Sequence, residues 1–179
     1  MNWSVPHYLD ASVASKIFSK EDDWREIDEY IMRNYSYHCW ITEFVYFEVL
    51  NVLKLKWIRG DIDKTAYHSG VYEFNSWIDE GLIQIDSDFD MKERKHFTTL
   101  REIVDQHDID YSDALQILTV LEGRWKGKRY DCTTVFVSAD AGLVKAARCY
   151  DLRVWHYGEE YPPTIAQQNG PDNAGKPHV

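Results

Sequence analysis

Short apolar runs recur along this chain, and between them lie longer stretches of helical periodicity, an alternation that leaves few folds open. His7-Tyr8-Leu9 predicts a first strand over about 6–9, and Cys39-Trp40-Ile41, Leu82-Ile83-Gln84-Ile85, Val135-Phe136-Val137 and Arg153-Val154-Trp155 predict four more. Between them, Asp22 and Asp23 open a helix with Trp24, Ile27 and Ile31 on one face. Thr42 is an N-cap for a helix carrying Phe44, Phe47, Val52 and Leu55, and Asp63 opens one carrying Tyr67, Val71, Phe74 and Ile78. Phe97, Leu100 and Val104 mark a further helix, Asp110 caps another over 111–122, and Gly142–Arg148 forms a short last one. Strands alternating with helices predict an α/β fold: a three-layer α/β/α sandwich around a parallel sheet of four to five strands.

A chain of 179 residues fits one ordinary domain, expected over 1–160, with 161–179 as a poorly ordered tail rich in Pro, Gly, Asn and Gln. No apolar run approaches the roughly 20 residues that span a bilayer, and no secretory leader is visible. Cys39, Cys132 and Cys149 show no CxxC spacing. Reduced thiols, no zinc and a cytoplasmic location are therefore expected. The net charge of −10 speaks against broad affinity for nucleic acid, though not against an enzyme that brings phosphate to a cation.

In an open parallel sheet, ligands bind beyond the carboxyl ends of the strands. Asp10 ends the first strand and Asp140 follows the fourth; Asp113 sits in the first turn of one helix and Glu48 in the second turn of another. Brought together without a cation, four carboxylates repel and raise one another's pKa. Mg²⁺ or Mn²⁺ removes that repulsion and suits all-oxygen ligation. Such a site can activate water and stabilise a leaving oxygen, so phosphodiester hydrolysis is the expected chemistry. No Ser or Cys nucleophile stands beside a His base, and no Gly-rich phosphate loop is present.

Four segments resemble the motifs of the PIN-domain ribonucleases: Leu9-Asp10-Ala11-Ser12-Val13, the helix Glu43 to Leu53, Tyr111-Ser112-Asp113-Ala114-Leu115, and Val137-Ser138-Ala139-Asp140 with Gly142-Leu143 and Ala146-Ala147. They fall in family order over about 7–157. The resemblance implies a PIN fold, a divalent-metal site formed by Asp10, Glu48, Asp113 and Asp140, and single-strand-selective RNA cleavage leaving 5′-phosphate and 3′-hydroxyl ends. At this length the chain is most similar to the VapC type, toxins of toxin–antitoxin pairs that act on tRNA or ribosomal RNA. The implied partners are RNA, an antitoxin and a second copy of the chain in a homodimer, with no membrane. Many members carry a further acid just after the fourth, where this chain has Ala141 and Gly142, so one metal and two both stay open.

Each residue also has a plainer reading. Asp113 is favoured at a helix start by the dipole alone. Glu43 lies five residues before Glu48, roughly 140° around the helix, so the two cannot face one site, and Glu48 fits the motif. Ser12 and Ser138 can support a carboxylate or merely stabilise turns. Lys16, Lys92, Arg94 and Lys95 are the cations expected near the strand ends for phosphate positioning. The run Arg124-Trp125-Lys126-Gly127-Lys128-Arg129 resembles an RNA patch, yet a helix places it about 18 Å from Asp113, at the opposite edge of the sheet. Rival functions are a housekeeping RNA-processing nuclease, a catalytically silent PIN-like binding module, and a haloacid-dehalogenase-like phosphatase. The last usually needs a second Asp where this chain has Ser12.

Overall fold

A computed structural model describes residues 5–34, 39–90, 92–126 and 134–163. Five strands, β1 (His7–Leu9), β2 (Cys39–Thr42), β3 (Ile83–Asp86), β4 (Val135–Ser138) and β5 (Arg153–His156), form one sheet in the order β3-β2-β1-β4-β5. All four pairings are parallel. Among the described residues, helices α1 (Ala11–Ser19), α2 (Trp24–Asn34), α3 (Glu43–Arg59), α4 (Lys64–Asp79), α5 (Arg94–His107), α6 (Tyr111–Glu122) and α7 (Ala141–Arg148) make the connections. The expected three-layer α/β/α sandwich is the observed architecture.

Alternate strand residues feed two cores. Leu9, Cys39, Ile41, Val135 and Val137 pack with buried residues of α1 to α4, whereas Tyr8, Trp40 and Phe136 pack with those of α5, α6 and α7. Both sheet faces are covered, which is why β1, β2 and β4 read as unbroken buried runs. The expected caps are present: Thr42 accepts from Val45 N (3.1 Å), Asp63 from Ala66 N (2.7 Å) and Asp110 from Asp113 N (2.9 Å). No helix among the described residues is long and apolar enough to cross a membrane.

Two helices bury residues other than most of the apolar ones that mark them in the sequence. On α3 the buried residues are Val45, Val49 and Leu53, while Phe44, Phe47 and Leu55 are exposed. Apolar residues surround this helix, so periodicity alone could not choose its face. On α5, His96 and Ile103 are buried with Leu100, and Phe97 is exposed. His96 is accommodated because its Nδ1 donates to the Asp90 carbonyl at 2.6 Å and its ring packs on Phe89. On α2, Ile27 is buried as expected; the Ile31 side chain lies outside the described residues, as does the tail from 164.

Gly70 sets the distance between α4 and α1. A Cβ there would collide with the Phe18 carbonyl oxygen, with Leu53 close behind. Alanine normally strengthens a helix interior by about 1 kcal/mol relative to glycine. At this position overpacking outweighs that gain, and Gly70→Ala is expected to lower stability by about 2 kcal/mol, seen as a fall in the denaturant midpoint with unchanged m-value.

Candidate active site

Register places four residues at one level of the carboxyl edge. Tyr8 pairs with Trp40 and Thr42 with Asp86, so Asp10, Thr42 and Asp86 stand side by side; Leu9 pairs with Val137, which sets Ser138 beside Asp10. Asp10 occupies the N-cap position of α1, but its side chain makes no capping bond. The carboxylate is 4% exposed. Its Oδ2 accepts from Ser12 Oγ at 2.5 Å and Ser138 Oγ at 2.9 Å, and its Oδ1 accepts from Gln116 Nε2 at 3.1 Å. Ser12 Oγ in turn accepts from Ala139 N (3.0 Å) and Ser138 Oγ from Asp140 N (2.9 Å). The two serines therefore tie the end of β1 to the turn after β4, and both contact the Asp10 carboxylate.

The other acids arrive from separate elements. Glu48, half-buried on α3, accepts from the same Gln116 Nε2 at 3.4 Å. Burial and the nearby Asp10 charge push its carboxyl up to about 7, partly offset by the Ser112 hydroxyl. Asp113, half-buried on α6, is likewise pushed up to about 7 by burial and by the charges of Asp110, Asp10, Asp140 and Glu48. Asp140 is exposed and caps α7, its Oδ1 accepting from Leu143 N at 2.8 Å. Asp110, a neighbour that sequence reasoning treated only as a cap, accepts from Ser112 Oγ and Asp113 N, which hold its carboxyl below the usual range. The site thus gathers acids from β1, α3, α6 and the start of α7 into one electrostatic field. Among the described residues, no three His, Cys, Asp or Glu side chains stand in an arrangement that could hold a metal ion as placed.

Sequence reasoning missed Gln116. It is 1% exposed, touches both Asp10 and Glu48, and lies three residues after Asp113 on the same side of α6. The available signal was a long polar side chain within the apolar stretch from Ala114 to Leu118, one turn from a site acid.

The expected cations fall in two environments. Lys16 is held by Glu21 (3.2 Å) and Asp23 (3.1 Å), with its Nζ over the Tyr157 ring. Lys92, Arg94 and Lys95 are exposed around the start of α5 after β3, with Lys95 paired to Glu93 at 3.0 Å. The basic run does not begin at the far edge of the sheet. Arg124 N donates to Asp86, the last residue of β3, at 3.0 Å, and the guanidinium packs over Trp40. Helix α6 therefore crosses the sheet obliquely and returns to its carboxyl edge at β3. Gly127, Lys128 and Arg129 lie outside the described residues.

The raised acids have a consequence for the cation-free protein. Glu48 and Asp113 titrate near 4.5 and 3.8 when unperturbed and near 7 when folded, so the folded state holds more protons in between. Their contribution to stability is complete below about pH 4 and is lost as pH rises to about 7. Thermal melts in EDTA are expected to show a midpoint that falls from pH 5 to pH 7.5, and Asp113→Asn should flatten that fall.

Strand order, register and the four acids can be set beside known proteins. The PIN domain family model matches residues 7–148. No curated protein matches the chain by sequence. The crystal structure of PAE2754 from Pyrobaculum aerophilum is similar, with a TM-score of 0.49 and 16% identity over 82% of this chain and 87% of that one. The family model spans most of the chain, from β1 through α7, and includes all four acids; the chain belongs to the PIN domain family, whose members are in general metal-dependent nucleases.

Proposed function

We propose that this chain is an endoribonuclease dependent on Mg²⁺ or Mn²⁺, with Asp10, Glu48, Asp113 and Asp140 as its catalytic and ion-holding acids. The observation that carries this reading is that carboxyls from four elements share one electrostatic field, where burial and then the charges of Asp110, Asp10, Asp140 and Glu48 raise Asp113. The donor set fits a hard divalent cation, since every candidate ligand is oxygen. Such an ion supplies charge to a phosphodiester oxygen and acidifies a water when bound. Ser12 and Ser138 hold Asp10 as the fixed member through two donated hydrogen bonds. Lys92, Arg94 and Lys95, exposed next to the carboxyl edge, supply charge for the RNA backbone. Ion binding must displace the protons held by Glu48 and Asp113. Apparent affinity should therefore rise up to about tenfold per pH unit for each proton displaced, levelling off above pH 7.

The finer reading is a VapC-type toxin acting in the cytoplasm on tRNA or ribosomal RNA, inhibited by an antitoxin and working as a homodimer. Its support is the resemblance of the four motifs, together with the apolar stripe of Phe44, Phe47, Leu55 and Ile58 along α3, which suits a second copy. A housekeeping RNA-processing nuclease would share the chemistry without the antitoxin. A catalytically silent binding module would keep the acids without cutting RNA. The test is incubation of total cellular RNA with purified chain and Mg²⁺ or Mn²⁺, beside an EDTA control, followed by mapping of the new ends. Discrete cuts at one tRNA or ribosomal RNA, abolished by EDTA, support the toxin-type nuclease. Folded protein that leaves RNA intact points to the silent module.

A further inference from the structure

The side-chain amide of Gln116 does two things at once. Nε2 donates to Asp10 Oδ1 at 3.1 Å and to Glu48 Oε2 at 3.4 Å, so one nitrogen spans two acids brought by different elements. Carboxylates only accept, which determines which end of the amide faces them. Oε1, on the same planar group, is buried with no hydrogen-bond partner. A buried acceptor left unpaired costs about 1–3 kcal/mol, a penalty relieved only if something donates to it. The backbone of α6 cannot, because its amides are committed to the helix.

Resting on the nuclease reading of this site, we infer that Gln116 is a positioning residue: Nε2 sets the spacing of Asp10 and Glu48, and Oε1 waits for an O–H donor of the bound ligand. That donor is either a water brought in with the ion or a ribose hydroxyl of the RNA; the chemistry recognised is the same. A purely structural Gln116 would only fill space between α3, α6 and β1. Methionine fills that space equally well and makes neither contact.

The experiment compares wild type with Gln116→Met, each stripped of metal, by calorimetric titration with Mn²⁺ at pH 7.5. The expected result is a dissociation constant weakened about 10- to 100-fold, as is typical when a group orienting ligands is removed. Unchanged affinity in folded Gln116→Met overturns the assignment and leaves the nuclease reading standing. If wild type binds no Mn²⁺, the reading of the site fails, and the role of Gln116 with it. Should Gln116→Met not fold, the wild-type side-chain amide resonances of Gln116 are followed during Mg²⁺ titration. They are expected to shift in step with binding, and resonances that stay fixed to saturation overturn the proposal. Single-turnover cleavage of RNA and of the same strand with a 2′-deoxy residue at the cut distinguishes the two donors. A penalty for Gln116→Met confined to the ribose substrate identifies the hydroxyl, and an equal penalty on both identifies water; no penalty on either overturns the role of Oε1.

Discussion

Asp10→Asn is expected to lower metal-dependent RNA cleavage by about 1000-fold while leaving the fold in place. The size of the loss follows from its position. Asp10 is the acid at the strand end that three side-chain donors hold, and it faces Glu48 across a shared amide. The preservation of the fold follows from the same contacts. Ser12 Oγ and Ser138 Oγ each accept one backbone N–H and keep a second lone pair, so they can receive an asparagine NH₂ in place of donating. The asparagine carbonyl then accepts from Gln116. Stability should change by no more than about 1 kcal/mol, measured by denaturant melts beside the cleavage assay.

Asp86→Ala is expected to do the reverse, lowering stability by about 3 kcal/mol without removing an acid from the proposed site. Asp86 ends β3 at the level of Asp10 and is buried to a similar degree, yet it faces a different set of partners. It accepts from the Tyr8 hydroxyl, from Asp88 N at 2.9 Å and from Arg124 N at 3.0 Å. Alanine leaves those donors without an acceptor, and Tyr8 is 1% exposed. Burial and the Asp86 charge hold the Tyr8 hydroxyl well above its usual pKa, so it stays protonated and needs an acceptor. A fall in melting temperature of about 6–12 °C is the expected readout for a domain of this size. Asp86→Asn, which keeps one acceptor oxygen, should lose less. Two buried acids at one edge of one sheet would then separate into a chemical one and a structural one.

Much of this arrangement was legible in the sequence. Five short apolar runs, each followed by a turn or a cap, specify parallel strands, and Thr42, Asp63 and Asp110 mark helix starts that the structure shows to be capped. The acids were visible because a strand end puts Asp10 at the crevice whatever the packing. What could not be read depended on tertiary geometry. The inward face of α3 is decided by its neighbours, since its apolar residues point in every direction. The partners of Lys16 were hidden because Glu21 and Asp23 come back to it only through the turn between α1 and α2. Arg124 was assigned to the far edge because the length of a helix can be counted from sequence and its crossing angle cannot. Gln116 is the same kind of omission: its importance lies in two carboxylates, one 106 and one 68 positions away in the chain.

The four acids proposed for the site should form a divalent-cation site, and solution measurement can decide whether they do. The most direct measurement is Mn²⁺ binding to metal-stripped wild type and Asp113→Asn, followed by the loss of the free-ion electron paramagnetic resonance signal at pH 8 and pH 5.5. Saturable binding at pH 8, weakened at least about tenfold at pH 5.5 and weakened again by Asp113→Asn, is the predicted result. Binding that is absent at pH 8, or that is indifferent to both pH and Asp113, would contradict it.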